Sequence, residues 1–217
     1  VTPYYSHDGI TLYLGDCLEV DAWLAADVLV TDPPYGMAYE SNWNRDRRNA
    51  KVGRPVRGDG DTTARDAALR LWGDRPALVF GRWTSPRPAA TIARLIWDRR
   101  DHGSGDLAMP WGPTDEEIYV LGSVSRFVGR RGSNVLRVPR LASGSADRPA
   151  HPTPKPIPLM ESLIGHTTGA VADPFAGSGS TLVAAKLLGR TAVGVEIEER
   201  YCEMAARRLD QGVLAFG

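Results

Sequence analysis

Two short stretches carry residue types that chemistry can use: Asp32-Pro33-Pro34-Tyr35, and the run from Asp173 through Pro174, Phe175, Ala176, Gly177, Ser178 and Gly179 to Thr181. An exocyclic amine on adenine or cytosine is a poor nucleophile, because its lone pair is delocalised into the ring. Two fixed acceptors change that. With the Asp32 carboxylate taking one N–H and the Pro33 carbonyl the other, the nitrogen is drawn toward tetrahedral geometry and its lone pair toward an electrophile. Pro33 and Pro34 would hold these acceptors rigidly, and Tyr35 offers a ring on which the base can stack once it has left the helix. The competing reading is a plain turn with an exposed tyrosine.

In the second stretch, Gly177 and Gly179 follow an apolar run and open a helical one, where a ligand can approach the backbone and meet the helix N-terminal N–H groups. Glu196 stands 19 residues after Gly177, close to the roughly 20-residue offset at which an acid accepts both ribose hydroxyls in dinucleotide folds. The third glycine of GxGxxG is missing, and Lys186 lies too far along for a P-loop. A nucleoside without a pyrophosphate fits better than a dinucleotide or a nucleoside triphosphate.

Elements to position these residues are readable around them. The compact apolar run Asp27–Thr31 predicts a buried strand that two consecutive prolines must end, presenting Asp32 at its carboxyl end. Strands are further predicted over 9–16, 77–80, 117–121, 170–173 and 191–195, and helices over 64–72, 88–96, 156–164, 180–188 and from Glu196 to about Leu209. Pro158 is tolerable in a first helical turn. Strand–helix alternation of this kind predicts an α/β fold with a mostly parallel sheet. Residues 36–63 and 123–150 show no period and read as irregular basic loops.

The chain has 217 residues, 42% of them hydrophobic, enough for one core, so a single domain over 1–217 is expected. It shows no apolar run near the ~18 residues a membrane span needs and no export signal near its start. Cys17 and Cys202 exclude a disulfide scaffold and any CxxC zinc site, so a reducing cytoplasmic setting is expected. The zero net charge argues at first against a nucleic-acid partner, but it is unevenly spread. Residues 1–40 hold seven acids and no Lys or Arg, whereas 41–58 carry a net +5 and 123–158 a net +6. Arg45, Arg47, Arg48, Arg54 and Arg57 in the first island, and Arg126, Arg130 and Arg131 in the second, are the candidate DNA contacts.

Taken together, the tetrapeptide and the glycine turn resemble the DNA amino-methyltransferases. The catalytic tetrapeptide precedes the cofactor turn, as in their circularly permuted beta-type group. Further matches are Leu14-Gly15-Asp16, Leu95-Ile96-Trp97-Asp98, Glu116-Glu117-Ile118-Tyr119 and His151-Pro152-Thr153-Pro154-Lys155-Pro156. The resemblance implies a Rossmann-like S-adenosylmethionine-dependent methyltransferase fold with helices on both sheet faces, DNA as substrate, and S-adenosylmethionine as cofactor. It places Phe175, Ala176, Gly177 and Gly179 along the cofactor, Asp173 near its methionine end, Glu196 on its ribose, Asp16 by its adenine ring and Lys155 near its carboxylate. His151 is given a structural role and no metal is implied.

Adenine N6 is favoured over cytosine N4 because Asp at the first position of the tetrapeptide is commoner in adenine enzymes. That is family habit; both amines satisfy the two-acceptor geometry equally. The readings from other classes are a non-catalytic nucleotide- or DNA-binding module of the same fold, and an RNA or protein methyltransferase. With 28 residues between Gly122 and His151, target recognition is expected to be shared by the two basic islands and to cover a short or degenerate site. The oligomeric state is not readable, and a homodimer is compatible with the sequence.

Overall fold

The computed structural model describes residues 1–34, 61–100, 110–140 and 154–214. In chain order the strands are β1 (Tyr5–His7), β2 (Ile10–Leu14), β3 (Val28–Thr31), β4 (Ala77–Gly81), β5 (Thr91–Asp98), β6 (Asp115–Leu121), β7 (Val135–Arg137), β8 (Val171–Asp173) and β9 (Ala192–Glu196). The helices are α1 (Thr63–Trp72), α2 (Ile157–Gly165), α3 (Ser180–Leu187) and α4 (Glu199–Leu214). All nine strands form one sheet in the order β1-β2-β9-β8-β3-β4-β6-β5-β7. Only β1 and β6 run against the rest.

Both faces of the sheet are covered, which is why its central strands are apolar at successive positions rather than alternating. Val28 and Val30 pack with Leu159, Leu163, Leu182 and Ala205 from α2, α3 and α4. Leu29 points the other way, to Trp23, Ala68 and Trp72 from the α1 side. The Trp23 and Trp72 rings stack there with centroids 5.8 Å apart.

β8 leads through α3 to β9 on one side, while β3, its other neighbour, leads through α1 to β4 on the opposite side. The crevice outside the carboxyl ends of β8 and β3 is therefore a topological switch point, the place where α/β sheets bind ligands.

Two expectations need correction. Residues 88–96 were expected to be helical, since Ile92, Leu95 and Ile96 sit at helical spacing, yet Thr91–Asp98 form β5. Two strands claim this segment's backbone: β6 pairs with it antiparallel and β7 parallel. Trp97 anchors it, buried against Phe80 with its indole N–H donating to the Val138 carbonyl at 2.7 Å. Neighbouring strands that need an edge covered outweigh a weak helical period. Likewise, the stretch 123–150 is not wholly irregular, because it contains β7 and a short 3-10 turn at Val124–Arg126. The other expected strands and helices form within a few residues of their predicted limits, and Pro158 does occupy the first turn of α2.

No helix among the described residues is long and apolar enough to cross a membrane.

Candidate active site

β3 ends where the prolines begin, because a residue without an N–H cannot extend a central ladder. Pro33 is buried and Asp32 is half-buried at the mouth of the crevice. Tyr35 lies outside the described residues, as do His151 and the arginines Arg45, Arg47, Arg48, Arg54 and Arg57.

Asp173 ends the neighbouring strand. Its Oδ1 accepts from the Thr31 hydroxyl at 2.7 Å and from the Phe175 N–H at 3.2 Å. Burial pushes its carboxyl up to about 6, against the pull of these hydrogen bonds, and the nearby Asp32 adds to the rise.

Past Asp173 the chain turns through Phe175 and Ala176, the Ala176 N–H donating to the Val195 carbonyl at 2.9 Å. Gly177 and Gly179 take φ values of +50° and +79°, a region in which an L side chain is strained. Arg208, from α4, donates to the Ser178 carbonyl at 2.5 Å and holds the turn from behind.

Glu196 closes β9, and both of its carboxylate oxygens are tied. Gly177 N–H donates to Oε2 and Glu198 N–H to Oε1, each at 2.8 Å. Burial raises its carboxyl above the usual range. Each oxygen has room for two hydrogen bonds and accepts one of these, which leaves a lone pair on each for a further donor. Asp16 follows β2, which pairs with β9 so that Leu14 lies opposite Glu196. Its Oδ1 accepts from the Leu18 N–H at 2.9 Å. Asp16, Glu196, Asp173 and Asp32 thus stand in a row along one sheet edge. A pre-aimed carboxylate with a lone pair free on each oxygen, beside a glycine turn, suits the sugar of a nucleoside.

Lys155 reaches the candidate catalytic acid. Its ammonium is 2.7 Å from Asp32 Oδ2 and 3.1 Å from Glu116 Oε2, with its side chain only 5% exposed. Asp32 and Glu116 hold it above its ordinary value although burial works against the charge. The Phe80 ring lies 4.8 Å away. Glu116, Thr31 and Arg208 were not singled out from sequence. Of these, Glu116 gave a usable signal, as an acid at the start of an apolar strand.

The second basic island divides. Arg126 pairs with Asp27 at 2.7 Å, and Asp27 immediately precedes β3, so this pair lies at the end of the sheet away from Asp32. Arg130 and Arg131 are exposed on the stretch leading to β7. Arg137, at the end of β7, is 3.7 Å from Asp98 at the carboxyl edge.

Residues 81–207 match a family model described as DNA methylase, the N6/N4 methylases. The type II methyltransferase M.ScaI of Streptomyces caespitosus is 27% identical over 96% of this chain and 84% of its own length. The Escherichia coli K12 protein YubD is 32% identical over 90% of this chain and 88% of its own. Among solved structures, the M1.HpyAVI–SAM complex superposes with a TM-score of 0.62 at 22% identity, covering 92% of this chain and all of that one; at that identity the likeness speaks for the fold. With the family model spanning more than half of the sequence, the chain belongs to the N6/N4 DNA methylase family of amino-methyltransferases.

Proposed function

We propose that the chain transfers a methyl group from S-adenosylmethionine to N6 of an adenine swung out of duplex DNA, as one methyltransferase domain spanning 1–217. The observation that carries this reading is the placement of Asp32 and Pro33 at the end of β3, beside β8, whose following glycine turn is tied through the Gly177 N–H to Glu196 at the end of β9.

Glu196 would accept the ribose hydroxyls. Gly177 and Gly179, with Phe175 and Ala176, would line the cofactor, Asp16 would face its adenine and Asp173 its methionine end. Bound there, S-adenosylmethionine supplies a methyl group made electrophilic by a sulfonium. The Asp32 carboxylate and the Pro33 carbonyl accept the two N–H groups of the base amine and turn its lone pair toward that methyl. As the N–C bond forms, the C–S bond breaks, its electron pair stays with sulfur, and the surplus amine proton passes to water. Tyr35 would stack on the extruded base.

Arg45, Arg47, Arg48, Arg54 and Arg57 of the first basic island, with Arg130 and Arg131 of the second, are proposed to neutralise DNA phosphates. Arg126, engaged with Asp27 at the far end, is left out of that set.

The test is to incubate the protein with DNA and labelled cofactor, digest to nucleosides and identify the product by mass spectrometry. N6-methyl-2′-deoxyadenosine with wild type, lost in Asp32→Ala while cofactor binding survives, is the expected result. N4-methyl-2′-deoxycytidine would move the assignment to the other amine, and no transfer to any nucleic acid by wild type would leave a binding module.

A further inference from the structure

We propose that Lys155 and Glu116 are positioning residues for the methyl transfer: the buried ammonium, braced by Glu116, holds the Asp32 carboxylate ionised and turned as an acceptor toward the base amine. The inference rests on Asp32 being that acceptor.

A lysine in an apolar surrounding is expensive unless its charge is matched. Lys155 reaches from just before α2 under the end of β3 to the start of β6, past Phe80 at 4.8 Å and Trp97 at 5.9 Å, and its ammonium contacts two carboxylates. The groups that face Asp32 among the described residues are Lys155 from before α2, Glu116 from β6 and Asp173 from β8. Arg99, on the turn after β5, stands behind Glu116 at 3.4 Å, and β4 presents the Phe80 ring.

Lys155 stands between Asp32 and Glu116, and Arg99 pairs with the far side of Glu116, so both acids are matched and an ionised Asp32 can face an amine that turns cationic as it is methylated. Without the lysine, Asp32 and Glu116 would share a poorly solvated site, and one of them would retain a proton to higher pH. A protonated Asp32 offers an O–H where the amine needs an acceptor.

The deciding experiment is the pH profile of kcat in Lys155→Met, in the double variant Lys155→Met with Glu116→Gln, and in Glu116→Gln alone. The acid limb should move up by about 1–3 pH units in Lys155→Met and return at least halfway in the double variant. In Glu116→Gln alone it should move down, because the lysine then serves Asp32 only; that arm decides the matter if Lys155→Met does not fold. The 13Cγ shift of Asp32 in cofactor-free protein should titrate in the same order, and cofactor Kd should change less than about threefold.

An unmoved limb together with an unmoved Asp32 titration would overturn the proposal. A tenfold weaker cofactor with the limb in place would return Lys155 to the cofactor carboxylate and overturn it too. Asp32→Ala separates the two levels: near-normal turnover there sinks the acceptor role itself, whereas a dead Asp32→Ala beside unshifted Lys155 and Glu116 variants sinks only the positioning role.

Discussion

The Thr31 hydroxyl donates to Asp173 Oδ1 at 2.7 Å across the join between β3 and β8. This bond couples the strand that carries the candidate catalytic acid to the strand that opens the cofactor turn. It also supports a carboxylate that the fold has taken out of water. Asp173 is 2% exposed, and the groups acting on it among the described residues are the Thr181 and Thr31 hydroxyls, the Phe175 N–H and the Asp32 carboxylate.

That burial should appear as a pH-dependent stability. With the carboxyl raised from 3.8 to about 6, the native state holds its proton more tightly than the unfolded state. Stability is then lost as pH rises from about 4 to about 6, by on the order of 3 kcal/mol. Asp173→Asn keeps an oxygen for the Thr31 and Phe175 donors and removes the charge. In thermal melts without cofactor, the variant should exceed wild type in Tm at pH 8, with the gap closing by pH 4.5. A constant gap across that range would mean that Asp173 does not titrate as its burial implies.

Glu196 offers a second contrast. Glu196→Gln replaces one acceptor oxygen by an NH2 group that must face the N–H of either Gly177 or Glu198, so the turn and the ribose site are disturbed together. Losing charged hydrogen bonds worth about 1.5–3 kcal/mol should raise cofactor Kd roughly ten- to a hundredfold by calorimetry. At saturating cofactor, kcat should fall far less. Equal losses in both would place Glu196 in the chemical step.

The second glycine of the turn is required by packing. A Cβ on Gly179 would lie 2.8 Å from Ala205 Cβ on α4, at a φ of +79°. Gly179→Ala should therefore cost about 1–3 kcal/mol and roughly 5 °C in Tm. Gly165, at the end of α2, has no atom within 4 Å of the same construction, so Gly165→Ala should leave Tm nearly unchanged. If the two variants melted alike, the contact with Ala205 would not be limiting.

What was legible in the sequence was what local chemistry determines. Proline ends β3 and glycine opens α3, so Asp32 and the cofactor turn could be placed at strand ends before any fold was known. The hairpin joining β1 to β2 was legible and missed: Asp8 and Gly9 both take positive φ, 50° and 75°, in a two-residue loop with the Asp-Gly signature of such turns. β5 was not legible, because its conformation is decided by β6 and β7 on either side. Nor was the partner of Lys155. A lone lysine among prolines does not reveal which of several acids the fold will bring to 2.7 Å, and Glu116 is in contact only because β6 runs backwards and starts at the carboxyl edge.

The same directional logic sorts the basic residues by a salt titration. β7 runs parallel to β5, so Arg137 sits beside Asp98 at the carboxyl edge, the side of the crevice, with its side chain 62% exposed. Arg126 lies at the opposite end and already has Asp27 as a partner at 2.7 Å. A duplex presenting a base to Asp32 must lie over the carboxyl edge. Each phosphate neutralised there contributes about 0.9 to the slope of log K against log salt. Arg137→Ala should therefore weaken DNA binding and reduce the slope by about one. Arg126→Ala should leave the slope unchanged and lower Tm instead, because Asp27, which also accepts the Ala170 N–H at 2.8 Å, loses its direct ion-pair contact with Arg126. A reduced slope in Arg126→Ala with none in Arg137→Ala would mean that DNA meets the other end of the sheet, and the assignment of Asp32 as the group that receives the base would go with it.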